Sequence, residues 1–345
     1  MITNISFRDA LNEALKNEMS QDPDVFIFGL DVDDHKSIFG STKDLKNIFG
    51  TERVFGTPLS EDAMTGFAIG AALRGKKTVH VHIRADFSLL AVNQIINVAS
   101  NIHYLTAGQL NVPLTIRVVV GRGWGQGFQH SKSVHSLFAH FPGLKVLIPA
   151  NPQEAYSLLR MAIQDKNPTL FIEHRWLYDV VGPVDYTKKP QAGAVKLTDG
   201  KDITILANSW MSIEALKARE ILEKINIRAD IFNINSLVPL QLEEVINSVK
   251  KTGHCVVVDH DWVEFGLAAE LSARIHEAAF HQLKKPIKRI GHQFVPCPTA
   301  RPLENQFYAK AQHIIEYVCI LLDKPVPKLN DDDFYTYENK FKGPF

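Results

Sequence analysis

Thr57-Pro58-Leu59-Ser60-Glu61 runs into Gly66-Phe67-Ala68-Ile69-Gly70-Ala71-Ala72 and then into Thr78-Val79-His80-Val81-His82-Ile83. The proline and serine mark a corner. Residues 63–73 predict a helix whose small side chains let it pack closely, and 78–83 predict a strand. Strand, corner, helix and strand again is the unit from which parallel sheets are built. Glu61 sits on the corner, where a carboxylate can reach a ligand at the end of a sheet.

The same rhythm extends both ways. Phe7, Ala10, Leu11, Ala14 and Leu15 fall on one face of a helix over 7–19, and 24–29 reads as a strand closed by Gly29. A helix over 87–102 follows, then strands at 114–120 and 144–149, a helix over 152–164 and a strand at 170–172. Between 177 and 200 the pattern breaks at Gly182-Pro183-Val184 and Lys188-Lys189-Pro190, as in a linker. A second series has strands at 203–206, 229–232, 255–259 and 288–290. Its helices are expected over 211–225, 241–249, 266–279 and 305–322. The fold class is therefore α/β, with two parallel-sheet domains at 1–185 and 201–325, a linker at 186–200 and a tail at 326–345. The tail is rich in Asp, Tyr and Lys and is either a loose arm or a partner-binding segment.

The 345 residues are 45% hydrophobic and 22% charged, an ordinary globular composition. Lys and Arg number 38 and Asp and Glu number 38, so no basic excess points to nucleic acid. No apolar run reaches the roughly 18 residues of a membrane span, and the N-terminus lacks a secretory pattern. Cys255, Cys297 and Cys319 have no metal-ligand spacing and read as reduced thiols of a cytoplasmic protein.

His80 and His82 share one face of their strand. Either the strand is an edge with a wet face, or its C-terminal end lines a polar pocket; both readings stay open. Gly121-Arg122-Gly123-Trp124-Gly125-Gln126-Gly127 follows a strand but opens no helix, so it is not a dinucleotide loop. Its glycines let backbone pass close to a ligand or to another chain. His130 comes next, in Gln129-His130-Ser131. No His-Glu pair has protease spacing, and there is no nucleophile elbow. The residues alone point to a two-domain α/β enzyme with a polar site near Glu61, Arg84 and His130.

Five stretches stand in order: Thr57-Pro58-Leu59-Ser60-Glu61, Phe87-Ser88, Asn93-Gln94-Ile95-Ile96-Asn97, Gln129-His130-Ser131 and Pro142-Gly143-Leu144-Lys145-Val146. In these the chain resembles the beta chain of the thiamine-diphosphate-dependent 2-oxo acid dehydrogenases of pyruvate and branched-chain type, in the transketolase-like superfamily. The likeness runs from about residue 7 to residue 322. It implies an N-terminal pyrimidine-binding domain and a C-terminal transketolase-like domain. It further implies that Glu61 hydrogen-bonds the cofactor's aminopyrimidine, that Phe87 stacks on that ring, that Ile83 supports the bent cofactor, and that His130 handles charge or protons near the substrate. Leu114, Ala162, Asp165 and Asn167 match positions that offer oxygens, mainly of the backbone, to a potassium ion; a plain turn is the equal alternative.

The family holds the diphosphate through magnesium on a Gly-Asp-Gly motif, which this chain lacks. The resemblance therefore implies a separate alpha subunit carrying that motif and an α2β2 assembly. The expected activity is decarboxylation of a 2-oxo acid with acyl transfer to a lipoyl carrier. The alternatives are a biosynthetic carboligase with another acceptor, and a non-catalytic scaffold. A lipoyl acyltransferase is a further implied partner. Ser60-Glu61-Asp62-Ala63 and His82-Ile83-Arg84-Ala85-Asp86 depart from the family pattern. Arg84 and Arg122 lie where a guanidinium could select a polar or acidic 2-oxo acid. The stretch Asp331-Asp332-Asp333-Phe334-Tyr335 extends beyond the short end through which some relatives dock.

Overall fold

Phe7, Ala10, Leu11, Ala14 and Leu15 are all fully buried, so the helical period read from the sequence is the face that packs. The computed structural model describes residues 2–122 and 125–329. In chain order the elements are β1 (Ile2–Ser6), α1 (Phe7–Gln21), β2 (Val25–Gly29), α2 (Leu45–Phe49), β3 (Val54–Gly56), α3 (Glu61–Leu73) and β4 (Lys77–His82). There follow α4 (Ile102–Leu105), β5 (Leu114–Val120), α5 (His135–Ala139), β6 (Lys145–Leu147), α6 (Pro152–Gln164), β7 (Thr169–His174) and β8 (Val181–Asp185). The second series is β9 (Ala194–Thr198), β10 (Ile203–Ala207), α7 (Ser209–Lys224), β11 (Ala229–Ile234), β12 (Ser236–Val238), α8 (Glu243–Thr252) and β13 (Cys255–Trp262). It ends with α9 (Leu267–Ala279), β14 (Lys288–His292), α10 (Arg301–Phe307) and α11 (Ala311–Leu321).

The chain forms two units. The first takes Met1–Gly121, Leu137–Ala192 and Ser236–Pro239, and the second takes Arg122–Ser136, Gly193–Asn235 and Leu240–Phe345. The first holds a seven-stranded sheet in the order β12-β6-β7-β5-β4-β2-β3. All its pairings are parallel except β12 with β6. After β2 the chain moves to one side for β3 and to the other for β4, which opens a crevice at the C-terminal ends of β2 and β4. The second unit holds a sheet in the order β14-β13-β10-β11-β9, parallel apart from β9.

The structure differs from the sequence expectation in several places, among them β9, which lies within the expected linker 186–200 and pairs with β11. β4 lies between β2 and β5, so it is a central strand and not a wet edge. Ile2–Ser6 and Val181–Asp185 pair antiparallel, which local periodicity does not show because the partners lie far apart in the chain. The helix expected over 87–102 is wound unevenly, as a 3-10 turn at Ala85–Ala91 and a π-helix at Asn93–Ala99. There the Ser100 N–H reaches back to Ile95 O at 3.1 Å, and the Ser100 hydroxyl and Asn101 amide donate to Ile96 O. These side-chain bonds compete with the regular α ladder. A side chain at Gly143 would meet Ser100 O at 2.1 Å, so the glycine permits this packing. The last expected helix is two, α10 and α11, parted at Tyr308–Lys310.

Candidate active site

Glu61 is the first residue of α3, which puts its carboxylate at the positive end of the helix. It is half-buried and makes no hydrogen bond or ion pair among the described residues. Thr65, Ala68, Ile69 and Ala72 are the buried face of α3. The close packing expected of its glycines is not made within this chain, because a Cβ at Gly70 would meet nothing within 4 Å. Ile83 and Phe87, both half-buried, follow the C-terminal end of β4.

His80 and His82 are 3% and 2% exposed, with ring centroids 4.5 Å apart. His80 stacks on Phe28, and Phe67 of α3 meets Phe28 edge-on. These histidines therefore line an aromatic core, and the polar pocket and the wet face are both replaced. Burial lowers His80 to about 4 and His82 well below its ordinary value.

Arg84 donates from Nη1 to Ile83 O at 2.9 Å, and its guanidinium carbon lies 5.1 Å from the ring of Phe39. Phe39 reaches that place on a strained turn. Ser37, Ile38 and Phe39 have φ of 50°, 47° and 57°, a left-handed conformation costing about 1–2 kcal/mol per residue outside glycine. Asp34 steadies the turn by accepting the N–H groups of Lys36 and Ser37 at 2.8 and 2.6 Å. Deeper in the same unit Arg117 is fully buried and donates from Nε and Nη2 to the two carboxylate oxygens of Glu173 at 2.5 and 2.9 Å. The hydroxyl of Tyr178 donates to the same carboxylate at 2.6 Å.

His130 belongs to the second unit, at the end of the turn Gly127–Gln129, with its Nδ1 3.1 Å from Gln126 O. Gly123 and Trp124 lie outside the described residues. Around them the glycine loop passes close to its own chain. The Gly125 N–H donates to Thr299 O at 3.0 Å, and a Cβ at Gly127 would lie 2.7 Å from Thr299 Oγ1. Arg122 is 3% exposed and stacks 4.0 Å over the ring of Tyr308.

Sequence reasoning missed a buried network in this second unit. His135 Nε2 lies 2.9 Å from Asp259 Oδ1, the Asn208 amide donates to the same oxygen at 2.6 Å, and Ser136 donates to Asp261 at 2.9 Å. Burial opposes the charge on His135, but the Asp259 carboxylate outweighs it and raises the imidazole. Burial likewise opposes the charge on Asp259, and His135 and Asn208 hold that carboxyl below its usual range. Asp261 is pushed up to about 6, chiefly by burial. The run Asp259-His260-Asp261 at the end of β13 was the available signal.

The four residues assigned to potassium lie in the first unit. Leu114 opens β5, and Asp165 caps α6 with its N–H on Ala162 O at 3.2 Å. The ammonium of Lys145 contacts the Asp165 carboxylate, whose other oxygen accepts the Asn167 N–H at 2.9 Å. Asn167 Oδ1 is buried without a partner among the described residues. Among the described residues no cluster of three His, Cys, Asp or Glu side chains could hold a metal.

Two parallel-sheet units in this order define a protein of the transketolase type. The pattern of the transketolase pyrimidine-binding domain matches residues 3–180, and that of the transketolase C-terminal domain matches 192–314. A solved structure described as a split-gene transketolase, inactive beta4 tetramer, superposes with a TM-score of 0.74 over 92% of this chain and 98% of its own, at 22% identity. That likeness concerns the fold. Within this class the chain belongs to the family of E1 beta subunits of the 2-oxo acid dehydrogenases. It is 38% identical over 94% of its length to the mitochondrial pyruvate dehydrogenase E1 beta subunit of Pisum sativum, of which 92% is covered. It is 37% identical over 90% of its length to the mitochondrial E1 beta-2 subunit of Oryza sativa, of which 84% is covered. The 2-oxoisovalerate dehydrogenase beta subunit of Bacillus subtilis is 37% identical over 88% of this chain and 94% of its own.

Proposed function

We propose that this chain is the beta half of a thiamine-diphosphate-dependent 2-oxo acid dehydrogenase and works with a separate alpha subunit in an α2β2 assembly. The observation that carries the reading is the half-buried Glu61 carboxylate, left without a partner among the described residues at the head of α3, on the edge of the sheet where such folds bind ligands. A carboxylate so placed fits a ring nitrogen that needs a hydrogen-bond partner. Ile83 and Phe87, on the segment leaving β4, supply the apolar contact and the stacking ring that a flat heterocycle needs. When bound, thiamine diphosphate supplies the carbon nucleophile and the electron sink for decarboxylation. Glu61 would orient and polarise the pyrimidine, and His130 would hold or move a proton near the substrate.

The chain has no Gly-Asp-Gly motif, so magnesium and the diphosphate are assigned to the alpha subunit. The names of the relatives favour a dehydrogenase over a carboligase or a scaffold, and a lipoyl carrier is the acceptor we assign. A potassium ion would rely on Asn167 and main-chain oxygens near Leu114 and Ala162, because Lys145 occupies the Asp165 carboxylate. The three free buried cysteines agree with the cytoplasm, the compartment we assign, and no helix among the described residues is long and apolar enough to cross a membrane. Arg84, half-buried, is the better candidate for selecting a polar 2-oxo acid; Arg122 is buried and packed over Tyr308. An Arg84→Ala enzyme with unchanged preference among pyruvate, branched and polar 2-oxo acids would remove Arg84 from this role.

The test of the central reading is Glu61→Ala in the co-purified α–β pair with added thiamine diphosphate and magnesium. Decarboxylation is expected to fall about 10²- to 10⁴-fold. Activity within a few-fold of the unaltered pair would overturn the assignment.

A further inference from the structure

Phe39, Arg84 and Arg175 come from three loops, those after β2, β4 and β7, and meet in the first unit at the C-terminal edge of its sheet. The guanidinium carbons of Arg84 and Arg175 lie over the Phe39 ring, 5.1 and 4.7 Å from its centroid. Arg175 also lies over Tyr178, at 5.2 Å. Two cations gathered on one aromatic ring repel each other, and burial deepens that cost. Arg84 is lowered from its ordinary value first by burial and next by the charge on Arg175.

The local acids do not balance them. Glu173 is engaged by Arg117 and Tyr178. Asp86 acts on Arg84 more weakly than Arg175 does. Arg84 Nε and Arg175 Nε and Nη1 are buried donors with no acceptor among the described residues. Water could satisfy such donors but would bring no negative charge. Residues 37–39 form a left-handed turn beside these donors. It carries Phe39 to the ring position at the expense of backbone strain, and strain of that kind collects at ligand sites. The crevice between the ends of β2 and β4 is where open parallel sheets bind ligands.

We propose that Arg84 and Arg175 form an oxyanion-binding site over Phe39, taking a carboxylate or phosphate group through paired guanidinium donors. The site keeps Arg84 from the substrate reading above, adds Arg175, and does not depend on the cofactor chemistry. Its source is either the remote carboxylate of a dicarboxylic 2-oxo acid or a phosphate.

The test is thermal unfolding of the full-length chain with increasing inorganic phosphate, a dicarboxylic 2-oxo acid, or chloride at matched ionic strength. Phosphate or the dicarboxylic acid is expected to raise the melting temperature saturably, and chloride is not. Arg84→Gln/Arg175→Gln should lose the shift and melt no lower than the unaltered chain without oxyanion. Arg175→Lys, which keeps the charge but loses the fork, should bind about tenfold more weakly by calorimetry and covers the case of a double variant that fails to fold. A larger shift with phosphate assigns a phosphoryl source, and the reverse assigns a substrate carboxylate. Equal shifts in variant and unaltered chain, or an equal effect of chloride, would sink the site. No turnover enters this readout, so its failure is separate from an active Glu61→Ala enzyme, which would count against the cofactor role.

Discussion

The two units finish their parallel sheets in opposite ways. At the edge of the first, Glu61, Arg84 and Arg175 carry charge that the described residues leave partly or wholly unanswered. At the edge of the second, His135 sits against Asp259, Asn208 bonds the same carboxylate, and Ser136 answers Asp261. The second arrangement is closed, and its bonds tie Arg122–Ser136 into a unit far along the chain. The first is open, and its charges are the ones proposed above to meet a further molecule. The contrast separates groups that bind from groups that brace.

The contrast can be broken from its strongest brace downward. The first unit has one closed pair of its own, Arg117 with Glu173. Glu173→Leu leaves a fully buried guanidinium without its acid and should cost about 3–5 kcal/mol in denaturant unfolding. A loss below about 1 kcal/mol would mean that Arg117 finds another partner.

The next effect is on acid stability. His80, lowered to about 4, stays neutral in the fold but takes a proton in the unfolded chain below its ordinary value of 6.5. Its contribution is therefore present above pH 6.5 and lost as pH falls toward about 4. The difference of roughly 2.5 in pKa corresponds to about 3 kcal/mol. His80→Phe should flatten the fall in stability across this window, and an unchanged pH profile would contradict the buried neutral ring. Asp261 works the other way. Its raised carboxyl contributes stability that is present below 3.8 and lost as pH rises toward about 6.

The smallest effect sharpens the contrast. Asn208→Ala removes one donor from the buried Asp259 carboxylate and should cost about 1–3 kcal/mol, with the His135 bond remaining. The same truncation at Arg175 should cost nothing or stabilise, because that edge is not braced. If both lose equally in unfolding experiments, the division between binding and bracing groups does not hold.

Much of this was legible in the chain. The alternation of apolar runs with helical periods was enough for the α/β class, because burial acts on local pattern. The corner at Glu61 was readable because proline, serine and an acid before a small-residue helix have few other uses. His80 and His82 were placed on one face correctly, but their surroundings were not. A strand's own alternation cannot tell an edge from a centre, which depends on β2 and β5 pairing on either side. The uneven winding of residues 85–99 was also hidden, since the side-chain bonds of Ser100 and Asn101 that favour it look like any polar helix end. The tail residues 331–335 lie outside the described residues.

The sequence by itself determined the two-sheet class, the alternation of its main strands and helices, the carboxylate at the corner and, through ordered motifs, the family. Only the tertiary structure joined Arg122–Ser136 to the second unit, put Asp259 beside His135, and gathered Phe39, Arg84 and Arg175 on one edge. The reason is physical. Periodicity and corner chemistry act over a few residues and leave their mark there, whereas charge balance is settled among side chains tens to more than a hundred positions apart, where no local pattern records it.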